Sequence, residues 1–211
     1  MPDSGRRLWP AAATTALITG LLASTAYGAV IDGTPGNDRI HGKAEGDTIS
    51  ALTGDDRVHA RRGDDSVDLG PGNDRAFGGR GDDHLLGGDG RDFLSGGFGD
   101  DTSEGGAGND TIFANQGQDT TEGGDGNDRL FALSRKDVSG PGDELGDTVR
   151  GGAGNDRIAV RDGERDVVNC GPGIDKALLD FKDVTEDGSC EVVSRRVPNR
   201  ADTRIEDREE D

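Results

Sequence analysis

GTPGNDRIH, GKAEGDTIS, ALTGDDRVH, ARRGDDSVD, LGPGNDRAF, GGRGDDHLL, GGDGRDFLS, GGFGDDTSE, GGAGNDTIF, ANQGQDTTE and GGDGNDRLF are residues 33–131 in consecutive blocks of nine, with no insertion or deletion. Position six is aspartate in every block: Asp38, Asp47, Asp56, Asp65, Asp74, Asp83, Asp92, Asp101, Asp110, Asp119 and Asp128. Position four is glycine except at Glu45, and position eight is mostly aliphatic, as at Ile40, Ile49, Val58, Leu85 and Leu130. A fixed short period of this kind is the signature of a repeat architecture, in which each unit buries its apolar residue only by stacking on its neighbours.

The blocks resemble the RTX calcium-binding nonapeptide repeats, whose pattern is GGxGxDxUx with U a large aliphatic residue. Residues 78–83, 87–92, 96–101, 105–110, 123–128 and 151–156 match the GGxGxD core in full. The resemblance implies an all-β fold, a parallel β-roll. Six residues of each repeat form a calcium-binding turn, three form a short strand, and two repeats make a coil. It further implies several bound Ca²⁺ ions, with the position-six aspartates as carboxylate ligands. Asp147, Asp156 and Asp175 extend that set beyond residue 131. Position five (Asn37, Asn73, Asp82, Asp100, Asn109, Asn127, Asn155) is expected to shape the turn or add an oxygen. Gly79, Gly81, Gly88, Gly90, Gly97, Gly99, Gly106 and Gly108 are expected to aim backbone carbonyls at the ion.

The chemistry of the residues agrees. Calcium takes six to eight oxygen ligands from carboxylates and carbonyls. Glycine tolerates the positive φ that turns carbonyls inward. The imperfect repeats 42–47 (GKAEGD) and 51–56 (ALTGDD) are expected to bind more weakly.

Composition sets the stability problem. The chain has 211 residues, a formal charge of −19, 30% hydrophobic and 4% aromatic residues, and 37 glycines. That is too little apolar surface for a conventional core and lies close to the disordered class. Bound cations would remove the carboxylate repulsion and supply the missing free energy. The acidity argues against a nucleic-acid partner.

The chain divides into four parts. Residues 1–28 read as an export signal: Arg6 and Arg7, a short apolar run, then small residues at Ser24, Ala26 and Gly28. Residues 29–159 are the repeat roll, interrupted near 132–141, where ALSRKDVSG followed by Pro141 reads as a decayed repeat. Residues 160–195 hold the last repeats and a C-terminal cap, with Val167, Val168, Leu178, Leu179, Phe181 and Val184 as its expected apolar residues. Cys170 and Cys190 are the only cysteines, and an even count in an exported chain implies a disulfide that staples this cap. Residues 196–211 are a charged, solvated tail. After signal cleavage no membrane span is expected, and the localisation is extracellular.

With two repeats per coil, alternate blocks fall on one sheet. One outward column is then His41, His59, Phe77, Ser95, Phe113, Phe131, beside Arg39, Arg57, Arg75, Phe93, Thr111, Arg129. Phe77, Phe113 and Phe131 are candidate partner-binding residues for an extracellular glycan or protein. The core is expected to be weakest where Ala76, Ser103 and Thr121 replace large aliphatics. The chain contains neither H-E-x-x-H nor G-x-S-x-G, so no enzymatic function is expected.

Overall fold

A computed structural model describes residues 17–18, 28–132, 146–186 and 189–195, and every assigned element in them is a β-strand. The strands form two parallel sheets, and the chain alternates between them. The first sheet holds β1 (Leu17–Ile18), β3 (Arg39–His41), β5 (Arg57–Arg62), β7 (Arg75–Arg80), β9 (Phe93–Phe98), β11 (Thr111–Gln116), β13 (Arg129–Phe131), β15 (Arg157–Ala159), β17 (Lys176–Leu179) and β19 (Val192–Arg195). The second holds β2 (Val30–Asp32), β4 (Thr48–Ser50), β6 (Ser66–Asp68), β8 (His84–Gly90), β10 (Thr102–Gly108), β12 (Thr120–Gly126), β14 (Thr148–Ala153), β16 (Val167–Asn169) and β18 (Val184–Thr185). This is the expected parallel β-roll.

Register follows the repeat. Ile40 pairs with Val58, Val58 with Ala76, Ala76 with Leu94 and Leu94 with Ile112, so position eight stacks on position eight two blocks later. These side chains are buried at or near 0% exposure. Position one supplies a second inward row: Ala51, Ala60, Leu69, Ala114 and Ala132 are also buried. Glycine fills this position in most blocks, and that hid the row from the sequence.

The expected decayed repeat falls on residues 133–145, which lie outside the described residues, and the coils on either side of it stack directly. β13 pairs directly with β15, β12 with β14, and the Ala132 amide donates to the Ala159 carbonyl at 2.9 Å. The ladder step across this point is 28 residues instead of 18. The ladder is therefore continuous from one side of the interruption to the other.

Beyond it the step becomes 19: Val160 holds position one, buried in the core like Ala132 and Leu179, and the added residue lies in the turn between it and Asp166. That slip changes the cap. Val168 and Leu179 are buried as expected and are joined by Ala177 and Cys170. Phe181 lies between β17 and β18 and is 73% exposed, and Leu178 and Val184 are exposed because the strand period turns them outward. Cys170 and Cys190 form the expected disulfide.

Of the expected signal segment, Leu17 and Ile18 pair with Arg39 and Ile40 at one edge of the first sheet, and the rest of residues 1–27 lie outside the described residues.

Candidate metal centre

The turns form two rows, one along each side of the roll. Asp38, Asp56, Asp74, Asp92, Asp110, Asp128, Asp156 and Asp175 lie in turns leading from the second sheet to the first. Asp47, Asp65, Asp83, Asp101, Asp119, Asp147, Asp166 and Asp183 lie in turns leading back. All are buried.

One carboxylate oxygen of each builds the ladder. The Asp56 amide donates to Asp74 Oδ1 (2.6 Å), Asp74 to Asp92 Oδ1 (2.8 Å) and Asp92 to Asp110 Oδ1 (2.8 Å). On the opposite side Asp65, Asp83 and Asp101 donate in the same way to Asp83, Asp101 and Asp119. The rows end on Glu191, whose Oε2 accepts from the Asp175 amide, and on Asp183, whose Oδ1 accepts from the Asp166 amide at 3.4 Å.

The second oxygen is the informative one. Oδ2 of Asp56, Asp65, Asp74, Asp83, Asp92, Asp101, Asp110, Asp128, Asp156, Asp166 and Asp175 is buried and has no hydrogen-bond partner. A buried unpaired anionic oxygen is costly, and a regular file of them is relieved by a counter-charge or by protonation. Burial pushes these groups up: Asp65, Asp92, Asp110, Asp128 and Asp156 to about 6, Asp74 and Asp83 to about 7, Asp101 to about 8. Neighbouring carboxylates add to the rise for Asp83 and Asp101.

The first turns differ. Asp38 Oδ2 accepts from the amide and hydroxyl of Thr34, and Asp47 Oδ2 accepts from the Lys43 amide. Among the repeats expected to be imperfect, 42–47 is thus satisfied internally, whereas 51–56 leaves Asp56 Oδ2 unpaired.

The glycines serve the turn. Gly79, Gly81, Gly88, Gly90, Gly97, Gly99, Gly106 and Gly108 all have positive φ. At Gly97 (φ 121°) an added Cβ would lie 2.2 Å from the Gly79 carbonyl oxygen, so close stacking of turns needs the bare backbone.

Position five lies outside the cradle. Asn37, Asp55, Asn73, Asp82, Asp100, Asn109, Asn127 and Asn155 are exposed and form an outer ladder running in the opposite direction. There the later residue's amide donates to the earlier side chain: Asp100 to Asp82 Oδ1 at 2.9 Å, Asn127 to Asn109 Oδ1 at 2.9 Å and Asn155 to Asn127 Oδ1 at 3.0 Å. These residues shape and join turns.

A denser acidic group escaped the sequence reading. Asp147, Asp162 and Asp166 are buried with carboxylate oxygens within 4.8 Å of one another. Burial, then neighbouring carboxylates, raise Asp166 to about 11 and Asp162 to about 8. The segment RDGERD (161–166) runs one residue out of phase and places Asp162 where the repeat has glycine. Its signal was the aspartate at the sixth place of that shifted frame.

The outward column differs from the expected one in a single rung. Ser95 leaves a gap that the Phe93 ring fills, giving a ladder His41–His59–Phe77–Phe93–Phe113–Phe131 with centroids 4.7–5.5 Å apart. Phe77 and Phe131 are half-buried, but Phe113, held between Phe93 and Phe131, is only 5% exposed. Phe113 is therefore not part of an exposed face.

Comparison with protein families finds the RTX calcium-binding nonapeptide repeat four times, over residues 32–67, 68–103, 95–130 and 141–164, together more than half of the chain. Among curated proteins none matches it.

Proposed function

This chain belongs to the RTX calcium-binding nonapeptide-repeat family, and from that premise we propose that it is a secreted, non-enzymatic calcium-binding protein whose roll folds on binding extracellular Ca²⁺. The observation that carries the reading is the file of buried Oδ2 atoms without hydrogen-bond partners along both rows of turns. Their chemistry fits a hard divalent cation, which supplies positive charge to paired carboxylates and accepts further oxygens from backbone carbonyls.

The position-six aspartates perform two tasks. Oδ1 fixes the step between coils, and Oδ2 presents charge to the site. The left-handed glycines turn carbonyls towards it. Affinity of about 10⁻⁴–10⁻³ M is the ordinary range for extracellular calcium modules. At calcium levels below that range the carboxylates repel one another, and the thin core cannot hold the coil. The disulfide and the N-terminal Arg6-Arg7 and apolar run support export to an oxidising compartment.

Equilibrium dialysis of the oxidised chain against Ca²⁺ tests the reading. Uptake of several ions per chain, matched by neither Mg²⁺ nor Na⁺, supports it. Uptake of one ion or none would reject it.

A further inference from the structure

We propose that the outer face of the first sheet carries a binding groove for an acidic polysaccharide. The groove has a volume of about 880 Å³ and lies across β5, β7, β9 and β11. Five cationic side chains line it: Lys43, Arg57, Arg61, Arg62 and Arg80. Among the described residues no aspartate or glutamate does, in a chain whose formal charge is −19. Such segregation of charge focuses a positive potential on an otherwise acidic molecule.

The floor of the groove departs from the repeat in a directed way. Arg61, Gly79, Gly97 and Asn115 are successive partners in one register column. The two glycines have φ of 118° and 121°, and Arg61 and Asn115 occupy the same left-handed conformation, at 88° and 74°. Leu52, at the same repeat position away from the groove, shares it at 79°, so the conformation belongs to the turn, and what sets the groove apart is that Arg61 and Asn115 bring polar side chains to it. Arg61 Nη1 donates to the Gly42 carbonyl at 3.2 Å. The bare glycines between leave room over the sheet.

Aromatic faces complete the site. His59 and Phe77 stack at 4.7 Å along one side, and on the other the Arg80 guanidinium lies 5.3 Å over the Phe98 ring, with both side chains exposed. Guanidinium groups pair bidentately with carboxylates and other oxyanions. Aromatic rings stack on the apolar face of a sugar. The cations are gathered on β5, β7 and the turn before β4, beside a bare strip on β9, which suits a short stretch of a linear polymer with an acid on each sugar. Nucleic acid, another polyanion that stacks, meets the same overall charge as an acidic polysaccharide, and an oligo-dT strand separates the two.

The site sits on the folded roll, so binding is measured on chain whose β-sheet circular dichroism has first been verified at the calcium concentration used. Failure to fold and failure to bind are then separate results. The probes are polygalacturonate, heparin, neutral dextran and an oligo-dT strand, compared by affinity electrophoresis at one fixed calcium and salt concentration. Binding of either acidic polysaccharide, with none of dextran, is expected. Arg61→Gly restores the repeat's own residue and removes the left-handed strain, so it spares the fold. Combined with Arg80→Gln it is expected to weaken polysaccharide binding on the order of tenfold or more, two charge-assisted contacts being lost. Binding unchanged in that double variant, equal binding of dextran, or binding of oligo-dT alone would each overturn the proposal.

Discussion

The amide of Asp83 donates to Oδ1 of Asp101, 18 residues on, at 2.7 Å, while the Oδ2 atoms of both carboxylates are buried without a partner. One oxygen is consumed by the scaffold, and in the function proposed above the other is offered to a cation. Asp101→Asn keeps an acceptor for the ladder and removes the charge. It is expected to raise the calcium midpoint of folding several-fold, read by circular dichroism. Asp100→Asn alters only the outer ladder, where Asp100 Oδ1 accepts from the Gln118 amide, and is expected to leave the midpoint unchanged.

Burial raises Asp74 and Asp83 to about 7 and Asp101 to about 8 when no cation is present. The folded chain then binds more protons than the unfolded chain between about pH 4 and pH 8, so the stability of the calcium-free roll falls as pH rises through that window. In EDTA the β signal is expected to be larger at pH 5 than at pH 8. Calcium competes with the same protons, so its midpoint is expected to rise as pH is lowered from 8 to 6. A midpoint independent of pH over that range would contradict the burial argument.

Ser103 and Thr121 are register partners in β10 and β12, and both hydroxyls are buried without a hydrogen bond. Ser103→Val and Thr121→Val remove an unsatisfied donor and add apolar volume. Each is expected to stabilise the calcium-loaded roll by about 1–2 kcal/mol, provided the added methyl groups fit. Denaturant midpoints at saturating calcium measure it.

The Cys170–Cys190 bridge joins the core of the last coils to the chain before β19. Reducing it is expected to cost the cap about 3 kcal/mol. In a stacked array each coil touches only its neighbours, so the loss stays local. Hydrogen exchange should accelerate at Val168, Ala177 and Leu179 and remain slow at Leu85 and Leu94. Acceleration spread along the whole roll would show that the cap controls the array.

Much of this was legible in the nine-residue period. With the two-repeat coil that the family resemblance implies, the period places Ile40 on Val58 and Phe77 on Ser95. What failed to show has local physical causes. The inward row at position one was masked by glycine, which carries no hydrophobic signal, and only Leu69 and the scattered alanines betray it. One residue added in the turn between Val160 and Asp166 changes the step to 19 and brings Ala177 into register with Ile158, while Phe181 falls between β17 and β18 and lies in solvent. Asp162 stands where the repeat has glycine, so a pattern built on position six passes over it and over its meeting with Asp166. The Phe93 ring bridging the gap at Ser95 depends on a side chain leaning between columns, which strand alternation does not specify.

The central claim is that calcium makes the roll. Far-UV circular dichroism of the chain with Cys170–Cys190 oxidised, titrated with CaCl₂ and separately with MgCl₂, tests it most directly. The account predicts a cooperative change from coil to β-sheet near millimolar calcium and none with magnesium. A spectrum already rich in β-sheet in EDTA at neutral pH, unchanged by calcium, would contradict it.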